Sequence, residues 1–308
     1  MSNIAPSIDP ATGPAQFDVA PARRSPLSAF LRRARRHGGL IIGASVLLVI
    51  IVAALAAPLL APHDPYAQNL AQRLIPPIWH PKGTWEHVLG TDKLGRDYLS
   101  RLLYGARISL LIGVLTVAIS GVIGTVVGIC AGYFGGRVDA VLSYVITTRL
   151  ALPVVLVALA SAALVGGSLE GVIIVLGLLL WDRFAVVTRS ATQQIARTDY
   201  IAAAQAIGCS TPRILFMEIL PNILNALIVV ATLEMAHAIL LEAALSFLGL
   251  GVQPPLPSWG LMIAEGKQYM FFSAWVIGVP ATALIFLVLA INLVGDGLRD
   301  VTAPENRT

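Results

Sequence analysis

The sequence predicts an all-α integral membrane protein with six transmembrane helices. Of the 308 residues, 56% are hydrophobic and 12% are charged, whereas soluble domains carry roughly a quarter charged residues. The mean hydropathy is +0.79. Several apolar runs have about 20 residues, the length at which a helix crosses a hydrocarbon core of about 30 Å. Helices are expected because lipid offers no hydrogen-bond partners to an open backbone.

The first predicted span runs from Leu40 to about Leu60. It is longer than the apolar core of a secretory signal, so residues 37–64 are expected to remain as an anchor helix. The positive-inside rule places the preceding leader, residues 1–36, in the cytoplasm. That leader carries the arginines Arg23, Arg24, Arg32, Arg33, Arg35 and Arg36.

Residues 65–107 are predicted to form a long extracytoplasmic loop that ends in a helix lying along the membrane surface. Leu94, Tyr98, Leu99, Leu102 and Leu103 share one helical face between Gly90 and Ser109. The charged residues Arg96, Asp97 and Arg101 lie away from it, and Asp97 and Arg101 have the i,i+4 spacing of a surface ion pair.

Residues 108–297 are predicted to form a core of five helices. Span two, Ile108–Tyr133, carries glycines at four-residue spacing, which indicates a seam where two helix backbones approach closely. Span three covers about 140–165, and Pro153 is expected to kink it. The seam glycines are Gly124, Gly128 and Gly132.

Span four begins near Gly171 and is the weakest of the six, because the Trp181-Asp182-Arg183 triplet interrupts it. The number of membrane crossings favours this span, because each crossing changes the side of the membrane. Without it, the polar loop that follows would lie outside the cell. Spans five and six are predicted at about 222–249 and 274–294, and the tail, 298–308, is expected in the cytoplasm.

The polar loop, Asp199–Pro221, predicts a compact two-helix knob between spans four and five. Asp199 suits the N-cap of a first helix, which Gly208 would end in the left-handed conformation. Ser210 or Thr211 can cap a second helix that starts at Pro212. Such a knob can dock a partner protein, but these features also fit an ordinary surface loop.

Span five carries three ionisable residues, Glu234, His237 and Glu242, which fit one broad helical face. Ionisable groups within a membrane usually face the bundle interior or an aqueous cavity, so these residues are candidates for lining a translocation pathway. A structural Glu234–His237 pair and a helix-interface hydrogen bond for Glu242 are the alternatives.

The sequence lacks the motifs of several enzyme classes. No GxxxxGK[ST] phosphate loop occurs, so the chain is not expected to bind ATP by itself. HExxH, CxxC and GxSxG are also absent, and Cys130 and Cys209 supply no disulfide framework or metal cluster. We therefore predict no catalytic residue, no metal site and no cofactor on this chain.

Four long segments resemble the dipeptide, oligopeptide and nickel group of ABC-importer permeases, and the likeness covers roughly residues 37–300. Within that group the chain is most similar to the C-type subunit, which pairs with a homologous permease. The matching segments are HVLGTDKLGRDYLSRLLYGARISLLIG, the knob with its ILPN ending, LEAALSFLGLGVQPPLPSWGLMIAEG and NLVGDGLRD.

The resemblance implies a type I importer permease fold in a bacterial cytoplasmic membrane, with both termini cytoplasmic. It implies a homologous second permease, two ATPase subunits or domains that bind ATP and Mg, and an extracytoplasmic solute-binding protein, with no nucleic-acid partner. A short peptide is the implied cargo. Residues 189–221 would form the coupling loop, and its ATPase-coupling residues would be Asp199, Ala202, Ala203, Ala204, Gly208, Arg213, Leu220 and Pro221.

The loop departs from the family pattern at two positions. Ala202 stands where a glutamate is usual, and Glu218 replaces a basic residue or histidine. We expect docking to persist through shape, apolar contact and the charges of Arg197, Asp199 and Arg213. A nickel or other-solute importer, a self-contained secondary transporter and a membrane scaffold remain as alternatives.

Overall fold

The computed structural model describes residues 33–302, and regular structure in this range is helical apart from one isolated bridge between Thr91 and Asp97. The predictions for residues 1–32 and 303–308 lie outside the described range. The helices are α1 (Gly38–Leu55), α2 (Ala57–Leu60), α3 (Tyr98–Phe134), α4 (Gly136–Ala151), α5 (Val154–Val165), α6 (Leu169–Leu179), α7 (Asp182–Ala196), α8 (Asp199–Ala206), α9 (Thr211–Arg213), α10 (Leu220–Phe247), α11 (Trp259–Gly266) and α12 (Trp275–Thr302).

Five helical runs within the described residues are long and apolar enough to cross a membrane, and a bent pair of helices supplies a sixth. The five are α1, α3, α6 with α7, α9 through α10, and α12. The all-α class is therefore confirmed, and the count of six holds when α4 and α5 form one broken span.

The break in span three lies where the sequence predicts a kink. α4 and α5 are bent by 86° to each other. Pro153 is the N-cap of α5, and Leu152 before it is extended, with φ −82° and ψ 130°. A residue before proline is forced out of the helical region, which ends α4.

The fourth span, α6 with α7, lies at the centre of the bundle. In its most apolar stretch 67% of the residues are buried, against 17–33% in the other four unbroken spans. This burial explains the weak sequence signal, because Asp182, Thr188 and Thr192 face protein and not lipid.

The glycines of α3 form the predicted seam, and α7 lies against it. A Cβ atom added at Gly124 would lie 2.5 Å from Phe184 Cβ, and one at Gly128 would lie 2.6 Å from the carbonyl oxygen of Ala185. At Gly132 the Thr192 Cβ would be 2.7 Å away. No side chain fits at these positions, so the two backbones depend on glycine for their contact.

α1 packs antiparallel to α12. A Cβ at Gly43 would lie 2.7 Å from Leu293 Cβ, and His37 Nε2 is 3.0 Å from Asp300 Oδ2. The first and last described helices therefore begin and end at the same end of the bundle. We call this the knob end, because the knob at 199–213 also lies there, and we call the opposite end the loop end.

The surface helix predicted between Gly90 and Ser109 is not separate from the second span. Residues 61–97 form a folded loop, and α3 starts at Tyr98 and continues without a break into the second span. Asp97 is its N-cap and accepts a hydrogen bond from Ser100 N at 2.8 Å. The Tyr98 hydroxyl donates to the carbonyl oxygen of Val276, which fixes the start of α3 beside α12.

The α3–α7 seam predicts that glycine-to-alanine substitutions at positions 124 and 121 have opposite effects on stability. Gly124→Ala should destabilise the protein by about 1–3 kcal/mol, because the extra methyl group overlaps Phe184. Gly121→Ala is the matched control, since its methyl group would meet only Phe184 ring atoms at 3.6 Å or more and alanine favours helix by up to about 1 kcal/mol.

Thermal unfolding of the two variants in detergent measures this difference. Equal melting temperatures for both variants would contradict the prediction. They would show that the α3–α7 contact has room for a methyl group at position 124.

Candidate functional site

The knob is a short helix with a tightly closed end. α8 ends at Ala206, and Gly208 follows with φ +80°, the left-handed conformation predicted for it. Its N–H donates to the carbonyl of Gln205 at 3.0 Å, and the N–H of Cys209 donates to the carbonyl of Ala204 at 3.0 Å. This pair of bonds is the Schellman motif, which satisfies the last carbonyls of a helix.

The capping residues of the knob differ from the prediction by one position. Thr198, not Asp199, occupies the N-cap of α8, and Asp199 is the first helical residue. There its carboxylate still lies at the positive end of the helix dipole. Ser210 occupies the N-cap position of α9 without a side-chain hydrogen bond to it, and Pro212 is the second residue of that helix, where a missing N–H is tolerated.

The span after the knob contains a wide turn. Residues Ile214–Ile219 are π-helical, and with α9 and α10 they form one helical run, Thr211–Phe247. Pro221 lies just after this turn. Proline cannot donate to the preceding turn and its ring crowds a carbonyl there, so a π-helical segment accommodates it without ending the helix. The chain therefore continues through Pro221 as one helical run.

One face of the knob is anchored and the other is exposed. Ile201 is fully buried against Ile129 of α3 and against Ile214, Ile219 and Ile223 of the following helix. Ile207 is 81% exposed. The exposed face consists of Asp199, Tyr200, Ala202, Ala203, Gln205, Ala206, Ile207, Gly208, Ser210, Pro212 and Arg213.

The predicted coupling residues divide between these two faces. Asp199, Ala202, Ala203, Gly208 and Arg213 are exposed and can meet a partner directly. Ala204 and Leu220 are half-buried and pack on the isoleucine cluster, while Pro221 is exposed at the base of the span.

Glu234 in α10 forms an ion pair across the bundle. Its carboxylate is 1% exposed, and Oε1 accepts a hydrogen bond from Arg183 Nη1 of α7 at 3.0 Å. His237 Nδ1 lies 3.4 Å from Oε2, as in the predicted Glu234–His237 pair. The side chains of Arg183 and His237 are 57% and 29% exposed, so the buried carboxylate faces two more accessible polar groups.

Glu242 has a different environment. It is fully buried, and its Oε1 accepts hydrogen bonds from Ser246 Oγ at 2.7 Å and Ser258 Oγ at 2.9 Å. A Cβ at Gly260 would lie 2.8 Å from Oε2, so the carboxylate packs directly on the start of α11. This geometry matches the helix-interface alternative, and it separates Glu242 from the Glu234 pair.

The side chain of Arg149 stabilises the break between α6 and α7. Arg149 donates from Nη2 to the carbonyl oxygen of Leu179, and its Nη1 lies 3.9 Å from Asp182 Oδ2. Its guanidinium thus meets the negative end of α6 and the first residue of α7. Arg149 and Asp182 position the central span.

Sequence reasoning missed a buried ion network at the loop end. The Arg101 guanidinium, 1% exposed, reaches Asp92 Oδ2 and Glu265 Oε2, both at 2.8 Å. Arg96 Nε lies 2.6 Å from the same Asp92 oxygen, and its Nη2 lies 3.2 Å from Glu265 Oε1. In the sequence, Arg96 and Arg101 lie away from the apolar face, and Arg101 has the spacing to pair with Asp97. Both arginines are instead buried and pair with Asp92 and Glu265. The network joins the outer loop and α3 to α11.

Family models match two parts of the chain. Residues 124–308 match the binding-protein-dependent transport system inner membrane component, and residues 25–77 match the N-terminal transmembrane domain of oligopeptide transport permease C. The chain belongs to the binding-protein-dependent permeases of ABC importers. These permeases act with ATPase subunits and a partner permease, so this chain is a transport subunit and not an enzyme.

Curated relatives match nearly the whole chain. The di/tripeptide transport system permease protein DppC of Pseudomonas aeruginosa is 42% identical, covering 91% of this chain and 93% of its own. The dipeptide transport system permease protein DppC of Escherichia coli K12 is 41% identical (93% and 95%), and that of Haemophilus influenzae is 36% identical (92% and 96%).

A solved structure shows the same fold. A chain of the MetNI methionine ABC transporter, in an inward-facing conformation, superposes with a TM-score of 0.54 at 21% identity. The match covers 66% of this permease and 97% of that chain. The predicted type I importer permease fold is confirmed.

The Arg183–Glu234 pair of this permease predicts an asymmetric response to mutation. Arg183→Ala leaves the carboxylate of Glu234 buried without its main partner, which should cost on the order of 3 kcal/mol. Glu234→Gln leaves Arg183 half exposed, where water can solvate it, so the cost should be smaller. Melting temperatures of the single variants and of the Arg183→Ala/Glu234→Gln double variant measure both effects.

The double variant is the internal control. It should be more stable than Arg183→Ala alone, because it removes the unpaired buried charge. A double variant less stable than Arg183→Ala would show that the carboxylate is not charged in the folded permease.

Proposed function

We propose that this permease forms half of the translocation pathway of an ATP-driven importer of short peptides. Relatives that cover more than 90% of the chain are named dipeptide or di/tripeptide permeases, and this full-length likeness carries the proposal. No observation favours nickel or another solute as the cargo. A self-contained transporter or a scaffold also loses support, because the chain belongs to an importer family.

The knob is the proposed docking site for an ATPase subunit. It is rigidly connected on both sides, by α7 through Thr198 and by the run that leads from α9 into α10. The buried Ile201 fixes its orientation to α3 and α10, and its other face is exposed. A push on that face would reach three spans of the bundle, which suits the transmission of ATP-driven motion.

The two departures from the family pattern affect charge more than shape. Ala202 is exposed, so the missing carboxylate would lie at the contact surface. Asp199 and Arg213 are also exposed in the knob and supply charges of both signs. Glu218 is half-buried at the base of the knob, away from its tip. Shape, the apolar Ile207 and these remaining charges support docking.

The proposed complex contains a homologous second permease, two ATPase subunits or domains that bind ATP and Mg, and a solute-binding protein at the loop end. ATP and Mg are proposed to bind to the ATPase subunits and not to this chain. The knob end, with both termini, is assigned to the cytoplasm of a bacterium, and the permease to its inner membrane. The basic leader and the position of His37 beside Asp300 support this orientation.

Glu234 and His237 are the proposed polar contacts of the pathway. The exposure of Arg183 and His237 beside the buried Glu234 carboxylate gives the bundle a polar surface where substrate or partner helices can approach. Glu242 is proposed to act indirectly, by holding α11 against α10.

Reconstitution with the partner subunits tests the proposed cargo and the coupling together. We expect ATP-dependent uptake of a labelled dipeptide into proteoliposomes, and at least a tenfold loss of uptake in Ile207→Glu, because a charge would be buried in the docking contact. Ile207→Met is the matched control and should keep most of the activity.

Other outcomes separate the parts of the proposal. Uptake of nickel in place of dipeptide would overturn the cargo, and uptake that survives without ATPase subunits would overturn the importer mechanism. Normal dipeptide uptake in Ile207→Glu would show that the knob tip is not the ATPase contact.

Two exposed positions test the orientation in the membrane. In a variant without Cys130 and Cys209, we introduce Ile207→Cys at the knob or Trp85→Cys in the loop, where the native side chains are 81% and 82% exposed. A membrane-impermeant maleimide should label Trp85→Cys from outside spheroplasts and Ile207→Cys only in inside-out vesicles. The reverse pattern would contradict a cytoplasmic knob.

A further inference from the structure

Three side chains with metal-binding atoms converge at the loop end. His63 follows α2, His87 lies in the outer loop, and Asp97 is the N-cap of α3. One ligand atom from each lies within 4.8 Å of the other two. His87 Nδ1 is 2.9 Å from Asp97 Oδ1, and His63 Nδ1 is 3.7 Å from the same oxygen.

We propose that His63, His87 and Asp97 bind a divalent transition-metal cation, and that zinc is the ion they fit best. Tetrahedral zinc with bonds of about 2.0–2.2 Å separates its ligand atoms by about 3.3 Å. The two measured separations, 2.9 Å and 3.7 Å, lie on either side of that value. Each of these two contacts would change by about 0.4 Å to reach it. The ligand atoms of the two rings lie within 4.8 Å of each other, so the rings would also turn toward the ion.

An unsatisfied nitrogen points to a ligand at this place. The His63 side chain is 37% exposed, but its Nδ1 is buried and has no hydrogen-bond partner within the described residues. Its ring lies against that of His87, with centroids 4.8 Å apart. Buried polar atoms in proteins are nearly always partnered, and a cation shared with the neighbouring carboxylate and second imidazole would satisfy this nitrogen.

Neighbouring groups orient the ligands. Asp97 Oδ2 accepts hydrogen bonds from Ser100 N at 2.8 Å and Ser100 Oγ at 2.7 Å, which leaves Oδ1 directed at the two rings. Nε2 of His87 lies 3.4 Å from Gln72 Oε1. Donation of that ring N–H to an amide oxygen would leave the Nδ1 lone pair free, the arrangement common for metal-bound histidine.

The donor set decides the class of ion. Two imidazoles with one carboxylate suit zinc and its first-row neighbours, whereas magnesium and calcium prefer oxygen ligands. Three protein ligands leave a fourth position for water. A bound ion would join the outer end of the first span, the loop and the start of α3, and thus stabilise the folded loop.

Zinc binding by the complete purified permease complex tests the proposal. After treatment with chelator and dialysis against Zn²⁺ alone, metal analysis should find one zinc more per complex in wild type than in His63→Ala or His87→Ala. Zinc affinity at this site should fall at least tenfold in each variant. His80→Ala is the matched control, because His80 is an exposed histidine of the same loop and should leave zinc binding unchanged.

A second variant and a second readout guard against misfolding. Asp97→Asn keeps an oxygen for the helix cap but removes the carboxylate, so it should fold and yet lose zinc affinity. Zinc should raise the melting temperature of wild type and His80→Ala but not of the two histidine variants. Equal zinc content, or an equal thermal response, in wild type and in the variants would overturn the site and leave a plain His87–Asp97 hydrogen bond.

Discussion

Close backbone contact between α3 and α7 is the constraint on which the rest of the permease depends. Lipid provides no hydrophobic drive that brings two helices together, so their association relies on tight packing. Gly124, Gly128 and Gly132 permit that packing, and no other residue type fits. The contact places the central span deep in the bundle, where the polar face of α7 can meet Glu234 of α10 and not lipid.

The two ends of α3 contact two different regions of the chain, the folded loop at the loop end and the knob at the other end. At its start, the buried Arg101 network fixes the outer loop and α11, and the His63–His87–Asp97 cluster lies beside it. At its other end, Ile129 receives Ile201 of the knob. In the proposed importer, a movement imposed on the knob would therefore reach the loop end through one helix of 37 residues.

Local signals in the sequence predict local features well. Glycine spacing predicts the seam, Pro153 predicts the break between α4 and α5, and Gly208 predicts the end of α8, because each depends on the conformation of one or two residues. The start of α3 could not be predicted this way. Arg101 resembles a surface residue by its helical position, and its burial depends on Glu265, 164 residues further along the chain. The approach of His63 to His87 is likewise a product of the folded loop and not of a spacing motif.

The wide turn at Ile214–Ile219 has a geometric consequence for the knob. A π-helical turn holds one residue more than an α-helical turn, and one residue corresponds to about 100° of rotation around a helix axis. The additional residue therefore contributes, together with the packing of Ile201, to the direction in which α8 leaves the bundle. A homologous permease that lacked this residue would present the same small helix in a different direction at the knob end.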